Sequence, residues 1–355
     1  MERMKLYEQL VNLPGIAGHE SMVRSFVKEE LEKHTDEIIQ DRLGSIFGVD
    51  RKKGPTIMIA GHMDEVGLMV IRITDEGFIK MLPIGGIQAE VYYSQNMEVI
   101  ISPTKRIKGL IGAIPPHINR GSDEAKKDLS FDDLLLDIGA SSKQEALDWG
   151  ITVGQAIVSQ NNYYVMEDGK KIVSKAWDNR FGVGMALEVF AEAKKLNHPN
   201  TLICGATVQE EVGLRGATTA SNLVKPDLFI AVDVSPVGDF LSKDHPRAFG
   251  KLGEGFLIRF YDPRCIMHQG IQGYFEKLAR EHHIKCQYFL SMGGTDAAAA
   301  QYSGAIATTV GLPGRYIHTN AAIIDVRDVE EVKKMLLALV MNFDEAALRE
   351  VKKNV

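Results

Sequence analysis

Five side chains of the kinds that bind metal ions stand out in this sequence, because each lies where a short apolar segment ends. They are His62, Asp178, Glu211, Asp233 and His318. Imidazole nitrogens and carboxylate oxygens suit zinc, cobalt or manganese, whereas calcium requires a larger number of oxygen ligands. Five ligands are too many for one catalytic zinc ion with an open position, but they suit two ions that share a bridging carboxylate. Such a pair polarises a carbonyl and activates water, so these residues predict a two-metal hydrolase.

The elements that would position these ligands are short strands. Residues 56–60, 202–208 and 228–232 are apolar and rich in Ile, Val and Thr, and each run stops at a polar group after which the chain turns. This pattern is typical of buried strands in a largely parallel sheet. Ligand sites in open α/β sheets gather at the carboxyl ends of the strands, so we expect side chains far apart in sequence to converge on one crevice.

The adjacent carboxylates Glu210 and Glu211 are expected to have different roles. Neighbouring side chains of an extended segment point to opposite sides, so Glu211 can bind metal while Glu210 stays free nearby. A free carboxylate beside the attacking water can take its proton and later deliver it to the leaving amine, which makes Glu210 the candidate general base. Asp64 lies two residues after His62, on the same side of an extended segment. We expect its carboxylate to accept a hydrogen bond from the other ring nitrogen of His62.

Six motifs follow one another along the chain: GHMDEVG, AWDNR, VQEEVGLRGA, AVDVSP, GGTDA and RYIH. In this order they resemble the tetrahedral (TET) aminopeptidases, a family of dinuclear metallopeptidases that includes glutamyl and deblocking aminopeptidases. The resemblance covers nearly the whole chain. It implies a metal-dependent enzyme that removes N-terminal residues from peptide substrates. It also implies two divalent metal ions per subunit, zinc or cobalt, with manganese as a further candidate.

The resemblance assigns the ligands to two metal ions. One ion would be held by His62, Asp178 and Asp233. The other would be held by Asp178, Glu211 and His318, so Asp178 would be the bridge.

Further roles at the site also come from the resemblance. It makes Glu210 the catalytic base and Asp64 a supporting catalytic residue, in agreement with the chemistry of the residues themselves. It also implies that the peptide bond between Asp178 and Asn179 is cis.

The pattern of helices and strands predicts two domains. The α/β catalytic domain is predicted to consist of residues 1–66 and 165–355 and to contain a mostly parallel sheet. The resemblance implies that this domain has a phosphorylase/hydrolase-like fold. Residues 67–164 contain short strands separated by Gly, Pro and Asn turns, which predicts an inserted small all-β domain. From the residues alone, that domain could serve dimerisation or form a lid over the substrate. The resemblance implies dimerisation, with dimers assembling into a tetrahedral dodecamer.

Four helices are predicted in the catalytic domain, at about residues 5–13, 21–34, 179–196 and 329–351. The third contains Gly182 and Gly184, although a glycine within a helix costs about 1 kcal/mol relative to alanine. We expect these two glycines to permit close packing beneath the site.

Composition excludes several classes of function. The chain has 355 residues and a formal charge of -6 without a basic block, which argues against nucleic-acid binding. Its three cysteines, Cys204, Cys265 and Cys286, form neither a disulfide framework nor a CxxC metal motif. The N-terminus lacks an apolar signal core, and no apolar run has the length of a membrane span. We therefore expect a cytoplasmic protein.

The identity of the substrate is the least determined feature. VDVSPVGD and IRFYDP resemble the glutamyl members, which favours acidic N-terminal residues, and Arg259 would suit a substrate carboxylate. Met292 stands before GGTDA where the glutamyl group tends to carry a lysine, and an apolar side chain there favours a leucine-type pocket. The alternatives are therefore a leucyl-type or a deblocking aminopeptidase of broad specificity.

Three readings from other classes also remain. An endoglucanase-like glycosidase would need two carboxylates around a sugar bond and no essential metal. A metal-dependent deacylase would use the same two-metal site on another amide. A non-catalytic assembly protein would not need Glu210.

Overall fold

The computed structural model describes residues 4–119, 129–242, 245 and 249–353. In these ranges the helices are α1 (Lys5–Asn12), α2 (Ser21–Glu32), α3 (Pro116–Asn119), α4 (Lys143–Asp148), α5 (Trp177–Ala193), α6 (Arg215–Val224), α7 (Gln269–Glu281), α8 (Asp296–Tyr302), α9 (Val326–Asn342) and α10 (Glu345–Lys352). The strands are β1 (Ile38–Gln40), β2 (Ile46–Asp50), β3 (Thr56–His62), β4 (Gly67–Ile73), β5 (Ile79–Ile84), β6 (Asn96–Ser102), β7 (Lys105–Ile111), β8 (Leu136–Asp137), β9 (Ala156–Ser159), β10 (Tyr164–Val165), β11 (Lys171–Ser174), β12 (Thr201–Thr207), β13 (Leu228–Pro236), β14 (Phe256–Tyr261), β15 (Cys286–Leu290), β16 (Ile306–Arg315) and β17 (Ala322–Asp325).

Within the described part of the chain, eleven strands form one large mixed sheet in the order β1-β2-β12-β3-β13-β16-β17-β11-β10, with β14 beside β16 and β15 beside β14. The four central strands, from β12 to β16, run parallel to one another. The strands that flank them pair in antiparallel fashion, except β15, which runs parallel to β14. The prediction of a mostly parallel sheet was therefore wrong for the flanks, because it rested on the buried central strands, whose continuous apolar runs are the clearest signal.

Alternate residues of the central strands face two separate cores. Along β3, Ile57 and Ile59 pack in the larger core with α1, α2, α5, α7, α9 and α10, whereas Met58 and Ala60 face a smaller core with α6 and α8. This alternation follows from the two-residue period of a strand. Helix α5 lies so close to the sheet that a Cβ on Gly61 would come within 2.2 Å of the Gly182 backbone. The expected close packing at Gly182 is confirmed, and it places the start of α5 directly behind the carboxyl end of β3.

The segment between β3 and β10 forms a closed barrel in the order β4-β5-β8-β7-β6-β9. Its strands run from Gly67 to Ser159, and a core that includes Leu68, Val99 and Ile157 fills its interior. The barrel segment also contains α3 and α4, so it is rich in strands but not purely β. Strand β10 pairs with β11 and already belongs to the large sheet at Tyr164.

The C-terminal helix differs from its prediction. Instead of one helix over residues 329–351 there are two, because the backbone leaves helical geometry at Phe343 and starts again after Asp344. The Asp344 carboxylate accepts hydrogen bonds from the backbone N–H groups of Ala346 and Ala347, which caps α10. Among the residues that the structure describes, none of the helices combines the length and the apolar character needed to span a bilayer.

Candidate metal centre

The five predicted ligands converge at one crevice beside the central strands. His62 is the last residue of β3, Glu211 follows β12, and His318 follows β16. The other two differ from the expected position at a strand end. Asp233 lies within β13, which continues to Pro236 through its pairing with β16, and Asp178 lies in the first turn of α5.

Asp178 stands between the two histidines. Its Oδ1 lies 3.1 Å from Nε2 of His62, and its Oδ2 lies 3.2 Å from Nε2 of His318. Glu211 Oε1 lies 3.4 Å from Nε2 of His318, and Asp233 Oδ1 lies 3.9 Å from Nε2 of His62. The two carboxylate oxygens of Asp178 therefore face different histidines, which is the arrangement that a bridging ligand requires.

Both histidines are oriented by backbone carbonyls. Nδ1–H of His62 donates to the carbonyl oxygen of Asp64 at 3.0 Å, and Nδ1–H of His318 donates to that of Gly86 at 2.7 Å. When each ring is neutral, with its proton on Nδ1, its Nε2 lone pair is free to bind a metal ion. Asp64 thus contacts His62 as predicted, but mainly through its backbone, since its carboxylate Oδ1 is 3.6 Å from Nδ1.

The carboxylate of Asp64 instead holds the turn that carries the two glutamates. Its Oδ1 accepts the backbone N–H of Glu210 and its Oδ2 that of Glu211, each at 3.0 Å. The turn is not the extended segment that the sequence suggested, because Gln209 has a left-handed backbone with a φ of 57°. The two glutamates still reach different parts of the site: Glu210 Oε2 lies 3.9 Å from His62 Nε2, whereas Glu211 approaches His318.

The histidines and Asp178 favour one another's charged forms. Burial alone would lower the pKa of His62, but Glu210, Asp178 and Asp64 outweigh it and raise the pKa well above the usual 6.5. Burial also opposes the charge of His318, yet the hydrogen bond with Asp178 and the charge of Glu211 raise its pKa to about 10. Burial opposes the charge of Asp178 too, but hydrogen bonds from His318 and His62 bring its pKa below the usual value.

The remaining carboxylates repel one another. Burial, followed by the charges of Glu211, Asp296 and Asp233, raises the pKa of Glu210 well above the usual 4.5, although His62 opposes this. Burial in the same way raises the pKa of Glu211 to about 7 and that of Asp233 well above 3.8. Carboxylates held this close together need cations to be stable as anions.

This donor set fits divalent metal ions. Glu211 Oε1 is buried and has no hydrogen-bond partner in the part of the chain that the structure describes, as expected of an oxygen reserved for a cation. Among the described residues, two groups have potential ligand atoms that all lie within 4.8 Å of one another. One group is His62, Glu210 and Asp233, and the other is His62, Asp178 and Glu211. These groups overlap with the two ligand sets that the family resemblance implies. The first group differs by containing Glu210 in place of Asp178, and the second differs by containing His62 in place of His318. We favour the implied sets, because Nε2 of each histidine faces a separate oxygen of Asp178.

The crevice is a cavity of about 640 Å³ whose wall contains the ligands and two arginines, Arg259 and Arg264. Arg259 is buried, and its guanidinium donates to Gly293 O and lies 3.3 Å, Nε to Oδ2, from Asp262. Met292 does not line this cavity, and its side chain is 58% exposed. The structure therefore does not place Met292 in a substrate pocket, although both of its neighbours in sequence reach the wall.

Several residues at the site were not identified from the sequence. Asp296, in GGTDA, is buried beside the site and accepts a hydrogen bond from the Thr207 hydroxyl, while Arg264 and Gly86 complete the cavity wall. The motif GGTDA contains Asp296, but the motif alone does not reveal that this carboxylate is buried beside the site while Gly293 and Gly294 line the cavity. The peptide bond between Asp178 and Asn179 is cis, as predicted.

Comparison with known proteins adds a family match and several similar structures. A model of the family described as M42 glutamyl aminopeptidase matches residues 44–335. Glutamyl aminopeptidase of Lactococcus lactis subsp. cremoris is 35% identical over 99% of this chain and 99% of its own. The crystal structure of a TET aminopeptidase from a marine sediment Thaumarchaeota archaeon superposes with a TM-score of 0.93, at 32% identity, over 99% of both chains. The TET1 peptidase of Pyrococcus horikoshii, described as assembling into a tetrahedron or a large octahedral shell, has a TM-score of 0.87, 29% identity and coverage of 96% and 99%.

Proposed function

Because the chain belongs to the M42 glutamyl aminopeptidase family, we propose that this metallo-aminopeptidase holds two divalent metal ions and uses Glu210 as its general base. One ion would be bound by His62, Asp178 and Asp233 and the other by Asp178, Glu211 and His318. The observation that carries the proposal is the position of Asp178, with one carboxylate oxygen about 3 Å from Nε2 of each histidine.

The chemistry of the bound ions is that of a Lewis acid pair, which polarises the scissile carbonyl and acidifies water. The chain itself supplies the proton transfers. Glu210 is the carboxylate that the implied ligand sets leave free, and it lies at the cavity wall with its Oε2 3.9 Å from Nε2 of His62. Its Oε atoms can take a proton from water and return it to the amine nitrogen of the leaving group. The burial that raises the pKa of Glu210 also favours its protonated form, which helps it act as the acid in the second step.

We further propose a preference for acidic N-terminal residues. Two arginines line the cavity, and Arg259 is held in place by Asp262, Gly293 and Ser235. A planar guanidinium fixed in this way suits a substrate carboxylate. The alternative of a leucine-type pocket rested on Met292, which lies outside the cavity wall.

The remaining proposals concern assembly and location. We propose a tetrahedral dodecamer built from dimers, with the inserted barrel domain, within residues 67–164, as the dimerisation domain. The dodecamer and the tetrahedron described for TET1 peptidases of similar fold support the overall assembly. We also propose a cytoplasmic location with peptides as substrates, without nucleic acid or membrane partners. All three cysteines are free, which is typical of a reducing compartment.

The experiment is hydrolysis of aminoacyl p-nitroanilides of Glu, Asp, Leu and Ala by metal-loaded enzyme, chelated enzyme and Glu210→Gln. We expect chelation to abolish activity and Glu210→Gln to lower kcat by about 10²- to 10⁴-fold, the usual contribution of a general base. Glu29→Gln, an exposed change of the same type on α2, is the control and should be fully active. Activity that survives chelation, or a Glu210→Gln enzyme with wild-type kcat, contradicts the proposal. Cleavage of acylated amides alone would favour a deacylase.

The acidic preference is tested with the same substrates. Loss of a charge-assisted hydrogen bond worth about 1.5–3 kcal/mol should lower kcat/KM for Glu relative to Leu by about 10- to 100-fold in Arg259→Gln. If the ratio of kcat/KM for Glu to that for Leu does not change in Arg259→Gln, Arg259 is not the residue that binds the acidic side chain of the substrate.

A further inference from the structure

The loop between α1 and α2 contacts both of the loops that carry the catalytic residues. At its first contact, the backbone N–H of Glu65 donates a hydrogen bond to the carbonyl oxygen of Gly15 at 2.9 Å. Gly15 N–H also donates to the Glu65 side chain at 3.2 Å. This end of the loop is thereby joined to the segment after β3, which contains His62 and Asp64.

The other end of the loop reaches the turn of the two glutamates through one side chain, Glu20. Its carboxylate is buried, with the residue 6% exposed, and Oε1 accepts hydrogen bonds from Gly18 N–H at 2.9 Å and Gln209 N–H at 3.1 Å. The first bond is local, whereas the second crosses 189 positions of the chain. Glu20 thus joins the N-terminal loop to the residue directly before Glu210.

The result is a row of three backbone donors held by two buried carboxylates. Gln209 N–H donates to Glu20, and the N–H groups of Glu210 and Glu211 donate to the two oxygens of Asp64. A positive φ at a residue such as Gln209 is uncommon and is maintained by its surroundings. With three consecutive N–H groups fixed, the peptide planes that aim the side chains of Glu210 and Glu211 cannot rotate independently.

We propose that Glu20 is a positioning residue of the peptidase reaction, which fixes the turn Gln209–Glu211 by its hydrogen bond to the Gln209 N–H. The inference rests on the proposed role of Glu210 and adds a residue outside the cavity to the machinery. Glu20 does not line the cavity, so its removal should change the placement of Glu210 and not the binding of substrate.

The kinetic signature follows from this geometry. A displacement of about 1 Å in a catalytic group can cost about 10²-fold in rate. We therefore expect Glu20→Ala to lower kcat by about 10- to 100-fold with KM changed less than threefold. Glu20→Gln keeps an amide oxygen in the place of Oε1, so it should retain at least a third of wild-type kcat.

The matched control is Asp328→Ala. Asp328 is also a buried carboxylate that accepts two backbone N–H groups, from Gly253 at 2.7 Å and Gly255 at 2.8 Å, but it lies outside the cavity wall. Both alanine variants should lower the melting temperature, whereas only Glu20→Ala should lower kcat.

The test measures kcat and KM on the best p-nitroanilide, with metal content by elemental analysis and melting temperature, for Glu20→Ala, Glu20→Gln and Asp328→Ala. Wild-type kcat in folded Glu20→Ala overturns the inference, as does an equal loss of kcat in Asp328→Ala. If Glu20→Ala does not fold, Glu20→Asp takes its place, because it keeps the charge but draws the carboxylate back from Gln209 N–H by one methylene group. Wild-type kcat in folded Glu20→Asp overturns the inference, and a lower kcat with nearly unchanged KM and normal metal content supports it. Failure of the general-base proposal is separate, because it would appear as activity in Glu210→Gln.

Discussion

Replacing Gly182 by alanine should destabilise this protein, although glycine to alanine within a helix usually does the opposite. A Cβ at this position would lie 2.1 Å from the carbonyl oxygen of Val232, on β13, and 2.5 Å from Oδ1 of Asn179. Both atoms belong to a buried hydrogen-bond arrangement: Asn179 Nδ2 donates to Val232 O at 2.8 Å, and Gly182 N–H donates to Asn179 Oδ1 at 2.9 Å. The methyl group would have to push the strand away from the helix or displace the Asn179 side chain.

The magnitude can be worked from these contacts. Overpacking of a buried site typically costs about 1–3 kcal/mol. Weakening two buried hydrogen bonds adds about 1–3 kcal/mol, against a gain of about 1 kcal/mol in helix propensity. The net loss should be about 3 kcal/mol, which at roughly 2 °C per kcal/mol lowers the melting temperature by about 6 °C. Because Val232 precedes Asp233, a proposed metal ligand, metal affinity should fall as well.

The assay is thermal unfolding of the metal-free and metal-loaded forms, with Gly273→Ala as the matched control. Gly273 lies in α7, is exposed, and has nothing within 4 Å of an added Cβ. There the same substitution should raise the melting temperature by about 1–2 °C, since only the propensity gain of about 1 kcal/mol remains. A Gly182→Ala protein as stable as wild type would refute the argument that backbone contact between α5 and β13 requires glycine.

Three further predictions concern titration, metal binding and a helix cap. In chelator, the melting temperature should fall as pH rises from about 5 to 10. In the folded state the pKa of Glu211 is raised from 4.5 to about 7 and that of His318 from 6.5 to about 10. The protonated groups therefore stabilise the folded state fully below the pKa values of the unfolded chain, and this stabilisation is lost as the pH rises through the pKa values of the folded chain. A melting temperature that does not change with pH would contradict this. Metal binding at pH 7 should release protons, because the same groups must lose them to bind a cation, and calorimetry in buffers of different ionisation enthalpy measures the number. Asp344→Ala should cost about 1 kcal/mol of stability and leave kcat/KM unchanged, since only the cap of α10 is lost.

The sequence contained enough to predict which side chains converge at the candidate metal centre but not their surroundings. His62 and Glu211 follow continuous apolar runs, and such runs mark the central strands of an α/β sheet without any knowledge of the fold. Asp233 was expected at a strand end, yet β13 continues past it because its partner β16 extends equally far. The length of a strand depends on its neighbour, and the sequence of one strand carries no information on this.

Contacts between distant segments were the least predictable feature. Glu20 and Gln209 are separated by 189 positions, and nothing near either residue signals the other. Asp64 was correctly predicted to accept the ring hydrogen bond of His62, but the acceptor is its backbone carbonyl oxygen and not its carboxylate. The prediction assumed a local extended geometry for both segments. The two carboxylate oxygens of Asp64 instead accept hydrogen bonds from the backbone N–H groups of Glu210 and Glu211. The sequence around Asp64 does not indicate these two bonds.

The inserted barrel is part of the site as well as a separate body. Nδ1–H of His318 donates to the carbonyl oxygen of Gly86, which lies just beyond β5 of the barrel and lines the cavity. The neighbouring Gly85 has a φ of 92°, and a Cβ there would meet Val66 at 2.7 Å and Glu211 Oε2 at 3.3 Å. The barrel can therefore approach the site this closely only with glycine at that turn. His318 thus takes its orientation from the inserted segment, so the placement of the barrel and the geometry of the candidate metal centre cannot vary independently.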